Sequence, residues 1–199
     1  MENKKQLIIS VGREYGSGGH EIGRKIADKL GIQFLDRSII EELAVLMGAD
    51  PEELSKYDEQ PKRYFINRTV RGYSNSNAQA VAELQFNLMH EKESHGKSFV
   101  VVGRCADAIF KNNAGLISFF ITADEDDKIK RVMEKRNLSE KEAKTAIVRH
   151  DKTRKAYHNS MTTTQWGEAK SYDLVINSSK LGIDGTVDFL LNYIERLSK

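Results

Sequence analysis

The stretch Gln6-Leu-Ile-Ile-Ser-Val-Gly-Arg-Glu-Tyr-Gly-Ser-Gly-Gly-His-Glu21 decides the fold. Its first part, Gln6–Val11, is a short apolar run rich in β-branched residues and stopped by Gly12, which reads as a buried strand. The second part carries four glycines within eight residues, Gly12 to Gly19. Beyond it, Ile22, Ile26 and Leu30 recur every four residues, and Gly31 stands where a helix-ending glycine belongs. A turn between a strand and a helix lies beyond the strand's carboxyl end, where open α/β sheets bind their ligands. Glycines let the backbone point its amides inward, and the helix N-terminus adds about half a positive charge. The loop therefore reads as a phosphate cradle. The bland alternative, a turn that merely packs helix on strand, does not call for so many glycines. Gly16, Ser17, Gly18 and Gly19, with His20 and Glu21 at the helix start, are the candidate nucleotide-binding residues.

Working outward, four more short apolar runs follow: Gln33–Leu35, Phe99–Val102, Leu116–Ile121 and Leu174–Ile176. Helical patterns separate them: Arg37–Met47 with Ile39, Ile40, Leu43 and Leu46 on one face, Ala78–His95, Asp107–Lys111, Lys128–Arg136, and Glu140–Tyr157 opened by the capping box of Ser139 and Glu142. Asp50-Pro51 starts another helix, Ser74–Asn77 reads as a polar break, His158–Lys170 as irregular, and Asp184 as the cap of a last helix. Strands alternating with helices imply a parallel sheet covered on both faces, a three-layer α/β architecture with five strands. Two helical stretches without strands, roughly 38–95 and 128–170, are candidate insertions.

Composition narrows the function classes. With 199 residues the chain is one domain. It has 31 basic against 29 acidic side chains and a net charge of +2, which argues against a dedicated nucleic-acid binder. No apolar run is long enough to cross a bilayer. The single cysteine, Cys105, excludes an internal disulfide and fits a reducing, cytoplasmic setting. Beside Arg104 it is either an activated thiol or, more commonly, a small buried one. The five histidines share no ligand spacing, so no metal site is assigned. No motif encodes an oligomeric state.

Phosphate loops of the pattern G-x-x-x-x-G-K-[ST] place a lysine on the β/γ-phosphates. Here Gly19 stands in the lysine position, followed by His20 and Glu21. Arg13, at the loop entrance, is the candidate substitute, because its planar fork grips phosphate bidentately. Lys25 reads as a solvated surface residue and Glu21 as a helix cap. Arg104 ends an apolar strand on the ligand side of the sheet and is a functional candidate, whose replacement by alanine is expected to reduce turnover by orders of magnitude while leaving the fold intact. Arg131, Arg136, Arg149 and Arg154 lie in the second insertion, where most charges belong to a solvated face. Arg63, Arg68 and Arg71, interleaved with Tyr64, Phe65 and Tyr73, fit either a nucleotide cradle or a packed amphipathic helix.

The segment Ile8–Gly23 together with Leu30-Gly-Ile-Gln-Phe-Leu-Asp36 resembles the cytidylate-kinase-like family, relatives of the nucleoside monophosphate kinases with a P-loop NTPase fold. The resemblance implies a core over about 1–37, 96–127 and 171–199, an acceptor-binding insertion over about 38–95, and an arginine-bearing lid over about 128–170. Gly16 to Gly19 match the family's glycine loop. Gly103-Arg104 matches a Gly-Arg pair whose arginine contacts the acceptor phosphate, and Asp151 with Arg154 matches a D-x-x-R spacing on the lid side. Asp36 matches the Leu-Asp that closes the second strand. Where cytidylate kinases continue with an arginine this chain has Glu42, and Arg37 is the candidate compensation.

The expectation is thus ATP-dependent phosphoryl transfer, with Mg2+, to a small nucleotide-like acceptor, without membrane or nucleic-acid partners. Arg13, Arg104 and Arg154 are the catalytic candidates. Asp36, Arg37, Arg104, Asp107, Asp151 and Arg154 are the substrate-binding candidates, with Asp36 or Asp107 orienting the acceptor or holding magnesium through water. The alternative is a nucleotide-binding module with little or no catalysis, suggested by Gly19 at the lysine position.

Overall fold

A computed structural model describes residues 6–60 and 75–197, and the basic, aromatic stretch 62–73 lies outside the described residues. Five strands form one parallel sheet: β1 (Ile8–Arg13), β2 (Gln33–Leu35), β3 (Phe99–Val102), β4 (Leu116–Thr122) and β5 (Leu174–Asn177). Their order is β2-β3-β1-β4-β5. The chain leaves β1 toward one edge, returns to β3 beside it, and crosses to β4 on the other side. β1 is therefore the switch point, and its carboxyl end is where a parallel sheet offers a crevice. Val11 pairs with Val102 and Arg13 with Ile121, so the ends of β1, β3 and β4 lie side by side.

Alternation along the strands builds both faces. Ile9, Val11, Val100, Val102, Phe119 and Ile121 pack against helix α1 (Gly19–Leu30) and the last helix, Gly182–Leu197. On the opposite face Ile8, Leu35, Phe99 and Val101 pack against α2 (Ser38–Met47), α4 (Asn75–Ser94) and the short α5 (Ala106–Ile109), while the brief α3 (Pro51–Ser55) follows α2. Each fully buried side chain of this size contributes about 1.5–3 kcal/mol relative to exposure, so the two faces fix the sheet between its helical layers. The three-layer α/β expectation is borne out. Helices α6 (Glu125–Arg136) and α7 (Glu140–Met161) pair through Ile129, Val132, Ala143 and Ile147, and Tyr15 packs against them. This brings the glycine loop into contact with the hairpin.

Several local expectations need correction. Residues 75–77 belong to α4 rather than to a break, consistent with the preference of Asn and Ser for helix starts. α7 runs on to Met161 and ends at Thr162, whose backbone is extended and whose hydroxyl donates back to the His158 carbonyl at 3.0 Å. The last helix (α8) begins at Gly182, with Asp184 inside its first turn, ion-paired to Lys25 at 2.6 Å. Leu46 is 67% exposed instead of core-facing. Glu21 makes no cap and pairs with Lys25 at 3.4 Å.

Candidate active site

The glycine loop is shaped by left-handed backbone and by two serines. Gly16 (φ +84°) and Gly18 (φ +82°) adopt conformations that L side chains rarely reach. Buried Ser17 donates its hydroxyl to the Glu14 carbonyl at 2.9 Å and accepts from the Gly19 amide at 3.3 Å, while Ser178 donates to the Ser17 carbonyl at 2.7 Å. These bonds pin the turn from inside. The amides of Gly16, Gly18, His20 and Glu21 meet no acceptor among the described residues, so the loop presents backbone donors at the N-terminus of α1. A Cβ on Gly19 would lie 2.5 Å from Arg13 Cβ and 3.2 Å from its Cγ. The stem of Arg13 thus fills the space from which a lysine at position 19 would grow.

Beyond the loop lies a narrow cleft, partly open to solvent, whose lining includes Arg13, Glu59, Arg104, Asp107, Arg154 and His158. Arg104 follows β3 on left-handed backbone (φ +59°) and is 3% exposed. Its Nη1 donates to Asp58 Oδ1 at 2.6 Å and lies 3.4 Å from Glu59 Oε1, and its Nη2 donates to the Asp36 carbonyl at 3.4 Å. Burial opposes the charge of Arg104, but Asp58 and Glu59 outweigh it and raise its pKa. Arg13 Nη2 lies 3.4 Å from Glu59 Oε1, and Arg154 Nε lies 4.0 Å from Glu59 Oε2. Burial alone would push the Glu59 carboxyl up, yet Arg13, Arg104 and Arg154 together hold it down at about 2. For Asp58 burial wins, and its pKa is raised despite Arg104. Burial and the like charge of Arg13 lower Arg154 to about 10, which leaves it cationic at neutral pH.

The far wall is polar below and aromatic above. Asp107 Oδ2 lies 2.9 Å from His158 Nε2 and 3.3 Å from Thr164 Oγ1, with Asp107 and His158 both buried. Trp166 and Tyr172 meet Phe120, each at 5.0 Å between centroids. Cys105 is buried, and burial raises its pKa, so it is the inert kind of thiol.

The α6–α7 hairpin closes on the loop through four contacts. Lys128 pairs with Glu14 at 3.0 Å, Arg131 donates to the Gly16 carbonyl at 3.2 Å, His150 stacks on Tyr15 at 4.2 Å, and Asp151 Oδ1 accepts the Tyr15 amide at 2.7 Å. Arg154 lies over the Tyr15 ring at 5.4 Å. Burial raises the Asp151 carboxyl to about 6, against the pull of the Tyr15 amide and Arg154. Arg136 and Arg149 are exposed; burial lowers the pKa of His150, and Arg154, Arg149 and Arg136 lower it further.

The structure therefore brings Arg13, Arg104, Asp107 and Arg154 to one cleft beside Gly16–Gly19, with Asp151 behind Tyr15. His20 instead pairs with Asp36 at 2.8 Å, and Asp36 also accepts the Ser38 amide at 3.0 Å. Burial would raise the Asp36 carboxyl, but the Ser38 amide and His20 keep it below its ordinary value. Arg37 is exposed at the start of α2. Sequence reasoning missed Asp58, Glu59 and His158. The one local signal for the first two is an acid pair directly before Gln60-Pro61, at the end of a helical run.

Comparison with known proteins matches the chain to a described family. A model of the cytidylate kinase-like family matches residues 8–180. The chain is 24% identical over 197 residues to the cytidylate kinase of Methanocaldococcus jannaschii, covering 97% of this chain and 100% of that one. It is 25% identical over 193 residues to the cytidylate kinase of Thermococcus kodakarensis, covering 96% and 90%. Among solved structures, an uncharacterized protein from Eubacterium ventriosum superposes with a TM-score of 0.76 at 34% identity, covering 96% and 99%. A shikimate kinase from Bacteroides thetaiotaomicron shares the fold at a TM-score of 0.55 and 16% identity, covering 95% and 98%.

Proposed function

The chain belongs to the cytidylate kinase-like family, and from that premise we propose that it transfers a phosphoryl group from ATP to a small nucleotide-like acceptor, as cytidylate kinases do. The observation that supports this reading best is the convergence of Arg13, Arg104 and Arg154 on one cleft beside a glycine loop with open amides. Phosphoryl transfer is mostly positioning and charge neutralisation, which is what converging guanidinium groups supply. In this reading the open amides of Gly16, Gly18, His20 and Glu21 hold the β-phosphate. Arg13 supplies the cation that Gly19 lacks, entering from the strand instead of the helix. Arg104 and Arg154 bind the acceptor's phosphate and the group in transit. Asp107, oriented by His158, faces the acceptor, and the aromatic wall of Trp166 and Tyr172 excludes water.

Mg2+ supplies neutralisation of the phosphate charge when bound. Among the described residues no cluster of three or more His, Cys, Asp or Glu side chains forms a metal cage. That donor set suits an ion held mainly by the phosphates, with Asp36 or Asp107 reached through water. The hairpin α6–α7 acts as the lid, and residues 38–95 as the acceptor-binding insertion. A reducing cytoplasm is the matching compartment. No helix among the described residues is long and apolar enough to cross a membrane.

The test is ADP formation from Mg-ATP with CMP, dCMP, UMP, AMP, GMP and nucleosides as acceptors. Turnover well above the acceptor-free background with one of them establishes the kinase. Saturable ATP binding with silence across the panel favours the second reading, a binding module, which the glycine at position 19 supports.

A further inference from the structure

Glu59 has no task in the transfer just described, yet three arginines surround it. The fit is loose. Arg13 and Arg104 each stand 3.4 Å from Oε1 and Arg154 stands 4.0 Å from Oε2, whereas charge-assisted bonds are commonly 2.7–2.9 Å. Arg104 shows what a tight partner looks like here, with Asp58 at 2.6 Å. Two further donors, Arg104 Nε and Arg154 Nη1, are buried without a hydrogen-bond partner among the described residues. Such orphaned donors are costly unless something accepts from them. The Glu59 backbone is itself strained, at φ +50° in the left-handed region.

These observations share one explanation. The three guanidinium groups, two of which carry an orphan donor, offer more N–H groups than one carboxylate can accept from, while a tetrahedral dianion offers three oxygens and twice the charge. We propose that the Arg13–Arg104–Arg154 cluster is a phosphoryl site, and that the Glu59 carboxylate is its displaceable occupant in the unliganded protein. This rests on the reading of the cleft as an acceptor site. It adds that binding of the phosphate expels Glu59. Asp58 stays on Arg104 and holds that guanidinium in place during the exchange. A permanent role for Glu59, as a clamp that orients the arginines, makes the opposite prediction.

The experiment compares wild type with Glu59→Gln by calorimetric titration with inorganic phosphate, in the absence of ATP. An occupant that competes predicts phosphate binding at least about tenfold tighter in the variant, the scale of a removed charge-assisted contact. Equal or weaker binding in the folded variant overturns the proposal, as does the lack of phosphate binding by either protein. Should Glu59→Gln fail to fold, hydrogen exchange in wild type decides. Saturating phosphate must accelerate exchange in the peptide containing Tyr57–Gln60, and unchanged or slower exchange there overturns the idea. Both readouts are independent of turnover. A protein silent toward every acceptor would sink the kinase reading while this measurement still stood or fell by itself.

Discussion

Arg104 was expected from sequence to be removable without harm to the fold, and its surroundings predict otherwise. Its side chain is 3% exposed and that of Asp58 is 6% exposed, with 2.6 Å between Nη1 and Oδ1. Arg104→Met keeps most of the aliphatic stem but leaves Asp58 buried without its cation. Breaking such a pair from one side costs about 3–5 kcal/mol, because the remaining charge is stranded. For a chain of this size each kcal/mol moves Tm by about 2–4 °C, so the variant should melt about 6–20 °C lower. Asp58→Asn alone should cost less, since burial already raises the Asp58 carboxyl and the amide oxygen still accepts from Arg104. The double variant removes both charges and should fall short of the summed single costs by about 1–3 kcal/mol. Urea unfolding followed by the fluorescence of Trp166, the only tryptophan, measures all four corners of the cycle. Its indole packs edge-on against Phe120 at 5.0 Å and so reports on the cleft itself. Additive single costs, or an Arg104→Met midpoint within experimental error of wild type, would refute the buried ion pair.

Asp151 should make stability fall as pH rises from about 4 through 6. Its carboxyl titrates at about 6 in the folded protein against 3.8 ordinarily, so the folded state binds the proton more tightly in that window. Asp151→Asn retains an acceptor for the Tyr15 amide, and its stability relative to wild type should climb by about 1–2 kcal/mol across the window, allowing for solvent screening. A flat or descending difference curve from urea melts at several pH values would contradict this. Gly16→Ala should cost at least about 2 kcal/mol, because its φ of +84° strains an L residue and the new Cβ would stand 2.8 Å from the Lys128 carbonyl oxygen. An unchanged urea midpoint would show that the loop and α6 do not press together. Arg13→Ala should lower turnover at least about 100-fold, the usual scale for one lost donor on developing charge, and should weaken ATP binding less. Full turnover in that variant would remove Arg13 from the mechanism.

The fold was legible wherever local pattern and burial coincide. Gln6–Gly31 combines an apolar run, four glycines and a four-residue period, each of which has a single geometric solution. Phe99–Val102 is apolar at every position and proved buried at every position. The site was half legible for the same reason. Arg13 and Arg104 end strands, so the sheet alone places them at the crevice. Asp58 and Glu59 reach those arginines across 46 positions of sequence, and His158 reaches Asp107 across 51. No periodicity encodes such pairings, because they depend on how α3 and α7 return over the sheet. Leu46 shows the complementary failure, since a helix turn can carry apolar side chains that the local pattern assigns to the core and the fold leaves exposed.

The missing lysine and the position of Arg13 are two sides of one packing arrangement. β1 continues through Gly12 to Arg13, which pairs with Ile121, and that last strand residue sets its stem against the backbone of Gly19. A side chain at position 19 and any side chain at position 13 cannot both occupy that space, because the two Cβ atoms would stand 2.5 Å apart, so a glycine at 19 goes with a non-glycine residue at 13. The guanidinium then extends past the loop toward Gly103 and Glu59, between the open amides and Arg104. A lysine rooted in the helix would meet the donor phosphates from the loop side alone. In the proposed kinase reading an arginine rooted in the strand stands between donor and acceptor, and its two-pronged fork can hold oxygens of both. The same position brings it to Glu59, so in that reading the cation that replaces the lysine touches the proposed occupant of the acceptor site. Under the kinase reading the glycine at position 19 is therefore compatible with chemistry, since it leaves room for the stem of Arg13.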